Sequence, residues 1–164
     1  MNATPFWDWA LSQYRAEAAQ RLLLRLQEEA GLVILEALFV SWLASEHYEW
    51  RADDTAKLRD ATQDWIDEVV LPLRAVRQRW KNEASKETSR RHLLELEVEA
   101  ERHLAELMWA ASESARGEKI GAEHACKQSV GEQMNANLQT LPVFQDGKYV
   151  SEREQLVALL LEST

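Results

Sequence analysis

The chain has 164 residues, of which 46% are hydrophobic and 29% charged, and its formal net charge is -9. These values are typical of an ordinary folded protein and exclude a disordered chain, and the length fits one domain over residues 1–164. The negative charge argues against general nucleic-acid binding, which requires lysine and arginine to neutralise phosphates. The only cysteine is Cys126, so no intrachain disulfide can form, and we expect a reducing, cytoplasmic location.

The first predicted elements are helices over residues 5–30, where apolar side chains recur at helical spacing. The pattern leaves open whether one helix or two short ones cover this range. Gly31 is predicted to cap the C-terminal end. The beginning of the chain does not resemble a secretory signal, which would have a basic region followed by an apolar core.

Residues 32–47 are predicted to form a helix that is apolar nearly all round and therefore buried, with 32–46 at the centre of the fold. Of the fourteen residues from Gly31 to Ala44, only Glu36 and Ser41 are polar. Because the apolar run is shorter than the roughly 20 residues that a bilayer requires, we expect no membrane span.

Two long amphipathic helices are predicted next, over residues 54–82 and 86–115, and we expect them to pack as an antiparallel pair. Pro72 lacks a backbone donor and should kink the first of them near Glu68 or Val69. In the second helix the predicted apolar stripe consists of Leu93, Leu96, Ala100, Leu104, Leu107 and Ala111.

The last third of the chain has a weaker pattern. Residues 118–140 contain Gly121 and Gly131, which disfavour a helix. The sequence does not decide whether residues 117–150 are ordered. Asp146-Gly147 indicates a turn, and residues 151–162 are predicted to form a C-terminal helix, with Ser151 and Glu154 as a capping box. The complete pattern predicts an all-α, single-domain bundle of five to seven helices around a buried central helix.

Seven tryptophans are many for this length. Most of them continue an apolar stripe, so we interpret them chiefly as core residues. Trp9 and Trp50 fit a stripe least and are the better surface candidates. A ligand pocket around Trp42 and Trp65 is the alternative interpretation.

Basic residues are concentrated between Arg74 and Arg91, which we call the basic segment. Its seven cations outnumber Glu83 and Glu87, which suggests a docking edge for an acidic partner or for RNA. The simpler explanation is a solvated turn with cations near a helix C-terminus. The candidate partner-binding residues are Arg74, Arg77, Arg79, Lys81, Lys86, Arg90 and Arg91.

Catalytic and metal-binding patterns are weak. One helical arc carries imidazoles and carboxylates, but a dinuclear carboxylate site needs Glu-x-x-His motifs on two facing helices, so we predict a solvated flank. Cys126 and His124 lie two apart, and side chains at that spacing on a helix do not face each other. We therefore expect no catalytic residue, no metal and no cofactor. The residues of the arc are His92, Glu95, Glu99, His103 and Glu106.

Several ordered motifs resemble a family of short, uncharacterised proteobacterial proteins, and the resemblance runs over nearly the whole chain. It implies an all-helical bacterial cytoplasmic protein and brings no catalytic residues. The motifs are Phe6-Trp7-x-x-Ala10-Leu11-x-x-Tyr14, Leu24-x-Leu26-Gln27-Glu28-x-x-Gly31, Leu35-x-x-Leu38-Phe39-x-x-Trp42-Leu43, Val70-x-Pro72-Leu73-Arg74-x-x-Arg77, Glu95-Leu96-Glu97-x-Glu99-x-Glu101-Arg102 and Asn137-Leu138.

The favoured functional hypothesis is a non-enzymatic protein that acts by protein–protein interaction, with a regulatory role or a homodimer as forms of it. A small-molecule-binding or enzymatic helical domain with a tryptophan-lined pocket is the second hypothesis. RNA or ribosome association through the basic segment is the third. The sequence does not identify the partner or the oligomeric state.

Overall fold

The computed structural model describes residues 3–117 and 127–162. Over these ranges it has eight α-helices and no β-strand, so the all-α prediction is confirmed. A π-helical turn, Ile66–Val70, joins the fourth and fifth helices without a break. The helices are α1 (Thr4–Tyr14), α2 (Glu17–Ala30), α3 (Ile34–Ser45), α4 (Ala52–Trp65), α5 (Leu71–Arg79), α6 (Glu87–Ala111), α7 (Lys127–Gln139) and α8 (Val150–Glu162).

The helix count is higher than the five to seven that the sequence predicts. The region 5–30 forms two helices, because the chain leaves the helical conformation at Ala16, whose ψ is 116°. The predicted helix 54–82 divides into α4, the π-helical turn and α5. Gly31 caps α2 in the left-handed conformation with φ 72°, as predicted.

Helix α3 is buried along nearly its whole length, as the sequence predicts. Every residue from Glu36 to Ala44 is buried, and Leu32 just before the helix is buried as well. The most extensive packing of α3 is against α7, and it also contacts α1, α2 and α6. It therefore forms the interior around which the other helices are arranged.

An aromatic cluster connects α3 to its neighbours. The ring of Phe39 packs edge-on against Phe6 of α1 at 5.0 Å and against Trp50 at 6.0 Å between centroids. Trp42 lies 5.7 Å from Trp109 of α6. Such pairs contribute about 0.5–1.5 kcal/mol each beyond area burial, so aromatic contacts help to fix α1, α6 and the segment before α4 against α3.

Asn137 fastens α7 to the chain that follows α3. Its fully buried amide nitrogen donates to the carbonyl oxygens of Val40, at 3.0 Å, and Tyr48, at 3.3 Å. Its amide oxygen accepts from the backbone N–H of Trp50 at 3.1 Å. Without the amide oxygen of Asn137, the buried N–H of Trp50 would lose this acceptor, and an unsatisfied buried donor costs about 1–3 kcal/mol.

The π-helical turn lies where the sequence predicts a kink. Pro72 cannot donate a hydrogen bond to the carbonyl of Glu68. The preceding N–H, of Leu71, donates to the carbonyl of Ile66, five residues back, which is the π-helical pattern. The irregular segment Ile66–Val70 therefore replaces a simple proline kink and contains both residues at which the kink is predicted.

Helices α4 and α5 pack in sequence along α6 and run antiparallel to it, as predicted. Arg77, late in α5, contacts Glu97 in the first half of α6, and Trp65, at the end of α4, donates to the carbonyl of Ala100, further along α6, at 2.9 Å. The predicted apolar stripe of α6 is only partly correct. Leu96 is exposed, and Glu97 takes a buried place beside Ala100 and Leu104.

The end of the chain follows the predicted turn and helix. Asp146 and Gly147 have φ values of 60° and 70°, which makes them the pivot of the turn. Helix α8 begins at Val150, so Ser151 is already inside its first turn and the predicted capping box is wrong.

No helix in the described ranges is both long and apolar enough for a membrane span. Cys126, His124 and Gly121 lie outside the described residues.

The central position of α3 generates a stability prediction. Leu43→Ala should lower the free energy of unfolding by about 3–5 kcal/mol, because it opens a cavity where no solvent-exposed surface exists. Leu96→Ala makes the same substitution at a side chain that is 51% exposed, and it should cost less than about 1 kcal/mol. Urea unfolding measures the loss in free energy of unfolding for both variants. Equal losses for Leu43→Ala and Leu96→Ala would contradict the burial of α3.

Candidate functional site

An apolar groove of about 480 Å³ lies on one side of the molecule, between two helical walls. One wall consists of α1 and α2 and the other of α5 and α6, while residues 31–35 and Leu38 form the floor beside the π-helical turn. The central residues of the apolar lining are Leu32, Leu35, Leu38, Ile66, Val70 and Leu104.

The rim of the groove is unusually apolar. Seven large hydrophobic side chains in the described residues are exposed, and five of them line this groove. Their exposed fractions lie between 37% and 47%. Exposed aliphatic side chains grouped around a concavity make this groove a candidate interaction site. The five rim residues are Leu11, Leu24, Leu71, Leu94 and Val98.

A charged network crosses the wall of the groove. Glu97 of α6, whose side chain is only 5% exposed, accepts hydrogen bonds from Arg74, at 3.0 Å, and from Arg77. Arg74 also donates to Glu101 at 2.9 Å and to Gln27 of α2 at 3.1 Å. A single guanidinium thus connects α5, α6 and α2.

The pKa shifts follow from this arrangement. Burial alone would raise the pKa of Glu97, but the hydrogen bonds and charges of Arg77 and Arg74 outweigh it, so the pKa is lowered. Burial raises the pKa of Glu101, and the neighbouring charge of Glu97 adds to the effect while Arg74 opposes it. Burial also raises the pKa of the groove-lining Tyr14, and the charge of Glu101 adds to the shift.

A second ion pair lies at the α4 side of the groove. Arg59, which lines the groove, donates to the carboxylate of buried Glu36 at 2.7 Å. Burial raises the pKa of Glu36, and the charge of Arg59 opposes the shift. The lining carries three arginines and two glutamates, and the buried Glu36 behind it supplies the third carboxylate, so the formal charges of the two networks together sum to zero.

In the structure, the cations of the basic segment do not form one exposed docking edge. Arg74 and Arg77 point into the network described above and are mostly buried. Lys86 pairs with Glu83 at 2.9 Å and lies 5.2 Å above the ring of Trp80. Arg90 is half-buried, and the cations that remain fully on the surface are Arg79, Lys81 and Arg91.

The tryptophans chiefly serve the core. Trp42 is buried among Phe6, Phe39 and Trp109, and Trp65 packs against His103 and α6, so neither of the two predicted pocket residues lines the groove. The surface prediction for Trp50 is wrong, because its ring is 3% exposed and its indole N–H donates to Thr55 at 2.8 Å. Trp9 is half-buried against the core.

The imidazole and carboxylate arc on α6 is exposed at each of its five positions, which confirms the solvated flank. His103 approaches Glu106 only to 3.9 Å. Within residues 3–117 and 127–162 no group of three or more side chains has the geometry of a metal site.

The groove itself is what sequence reasoning missed. The available signal was an excess of aliphatic residues at the beginning of α6. Leu93, Leu94, Leu96 and Val98 point in several directions, which is a broader apolar arc than one packing face requires. The pair Leu94 and Val98, four apart, is the part of this excess that faces the groove.

Fold and groove together define the class: an all-helical domain with a buried central helix and an open, aliphatic-rimmed groove. The family model described as "Protein of unknown function (DUF2390)" matches residues 5–108, well over half of the chain, and the protein belongs to this family. Every groove-lining residue falls inside the matched range. No curated protein and no solved structure matches the chain.

The network around Glu97 generates a prediction with a defined pH dependence. Glu97→Gln should lower the free energy of unfolding at pH 7 by about 3 kcal/mol, because two mostly buried arginines lose their shared carboxylate. The lowered pKa of Glu97 means that its contribution is present above the usual value of 4.5 and is lost as pH falls through the folded-state pKa.

The stability gap between wild type and Glu97→Gln should therefore narrow when urea unfolding is repeated at decreasing pH. Glu99→Gln, an exposed position on the same helix, is the matched control and should change stability by less than about 0.5 kcal/mol. A gap that widens in acid would contradict the assigned ion pairs.

Proposed function

We propose that this is a non-enzymatic bacterial cytoplasmic protein that acts by protein–protein interaction, with the apolar groove as its partner-binding surface. The observation that carries the proposal is the concentration of exposed aliphatic side chains at the groove. Five of the seven in the described residues lie there, although they could have been scattered over the surface. Single, scattered exposed side chains are normal for a soluble protein, whereas several grouped around one concavity favour an interaction site.

Small-molecule binding is the second candidate, and the groove volume of about 480 Å³ favours it, since ligand pockets occupy roughly 300–1,000 Å³. Such pockets enclose most of the ligand surface, however. The rim side chains here are more than one-third exposed, which is typical of a groove open to solvent and not of an enclosed cavity. The open mouth supports a larger occupant.

The two surfaces proposed for binding, the groove and the basic segment, can be separated by substitution. Val98→Asp or Leu94→Asp should abolish recovery of the partner in quantitative affinity purification from the native host, because docking would desolvate the new carboxylate. Both side chains are nearly half exposed in the free protein, so folding should be retained.

Leu96→Asp is the matched control, because Leu96 is equally exposed on the same helix and lies about 200° around it from both groove residues. It should leave recovery unchanged. Charge reversal at Arg79, Lys81 and Arg91 should also leave it unchanged. Loss of the partner with the charge reversal, and its retention with Val98→Asp, would move the interface to the basic segment.

A further inference from the structure

Any polypeptide that occupies the groove must satisfy its own backbone hydrogen bonds. Most of the groove is lined by helices α1 to α6 and the π-helical turn, whose N–H and C=O groups are largely used within the helices, and only the floor at residues 31–33 and the first turn of α3 departs from this pattern. The described residues offer no strand to which an extended segment could add. An extended chain would therefore press unpaired amides against aliphatic side chains, whereas a helix pairs these groups internally.

The length of the groove can be measured along α6. Leu94, Val98, Glu101 and Leu104 face it in succession, at spacings of four, three and three residues. Ten residues of helix span about 15 Å. An occupying helix of roughly ten residues, or three turns, would match this length and present aliphatic anchors at positions i, i+4 and i+7.

The charge of the groove restricts the side chains of the occupant. Arg74 and Arg77 are matched by Glu97 and Glu101, and Arg59 is matched by Glu36. A lysine or glutamate on the contact face would have to compete with one of these pairs or be buried unpaired. An uncharged face complements the groove without breaking any of them.

We propose that the groove binds an amphipathic α-helix of a partner protein, about three turns long, whose contact face is aliphatic and uncharged. The inference rests on the proposed function and deepens it by defining the chemistry of the partner. Charged residues of the partner helix would lie on its opposite face, in solvent.

The test uses the full-length protein and fluorescently labelled synthetic peptides, with fluorescence anisotropy as the measurement. The first peptide is a helical 14-mer with leucine at four positions spaced i, i+4, i+7 and i+11 and with glutamine and alanine elsewhere. The second has the same composition except for one central proline, which breaks the helix. The third replaces the two central leucines by glutamate.

We expect the first peptide to bind at least about tenfold more tightly than the second, because the proline prevents the helix that the groove selects. The third should bind at least about tenfold more weakly than the first, because it buries unpaired charge. Val98→Asp and Leu94→Asp should each abolish binding, and Leu96→Asp should not. Raising NaCl from about 50 to 500 mM should change the affinity less than about twofold, since the contact is uncharged.

If the helical and proline peptides bind equally and both groove substitutions block this binding, the groove is still the interface. The proposal that its occupant is a helix is then wrong. Failure of every peptide to bind would also overturn it. If the helical peptide binds and both groove substitutions leave its binding unchanged, the location is wrong and the proposed function falls with it. If the glutamate peptide binds more tightly than the first peptide, the proposal of an uncharged contact face is wrong.

Discussion

The shape of the groove depends on one interaction, the ion pair between Arg74 and Glu97. Arg74 leaves α5 and reaches Glu97 and Glu101 on α6, and its third partner is Gln27 on α2. Because Glu97 is buried, its ionised form is stable only while the arginines are bound to it. The two walls of the groove thus have their spacing set by a polar contact, while the space between them stays lined by aliphatic side chains.

This arrangement explains why polar and apolar groups alternate on one wall. If only leucine and valine lined α5 and α6, the walls would collapse onto each other and bury the rim. The matched charges resist this collapse, because closing the groove would desolvate guanidinium and carboxylate groups further. An open apolar concavity can therefore persist on a protein that is otherwise acidic and highly charged.

The sequence predicted the helical class, the burial of α3 and the antiparallel pairing, because these follow from periodicity within single segments. The predictions from sequence were wrong where contacts between distant segments determine whether a side chain is buried. Arg74 and Arg77 resemble ordinary surface cations, and only the position of Glu97 across the helix pair turns them inward. Trp50 lies outside any helical stripe, and its burial requires Thr55 and Asn137, the latter 87 positions away. The groove was missed for the same reason, since its lining comes from six helices.

The most direct measurement of the central claim is site-specific photo-crosslinking in the native host. A photoreactive amino acid at position 94 or 98 of the groove, and at position 96 on the opposite side of α6, samples two surfaces of one helix. The groove account predicts a discrete crosslinked protein at 94 and 98 and none at 96. Crosslinking to one protein at 96 alone, or at none of the three positions, would contradict it.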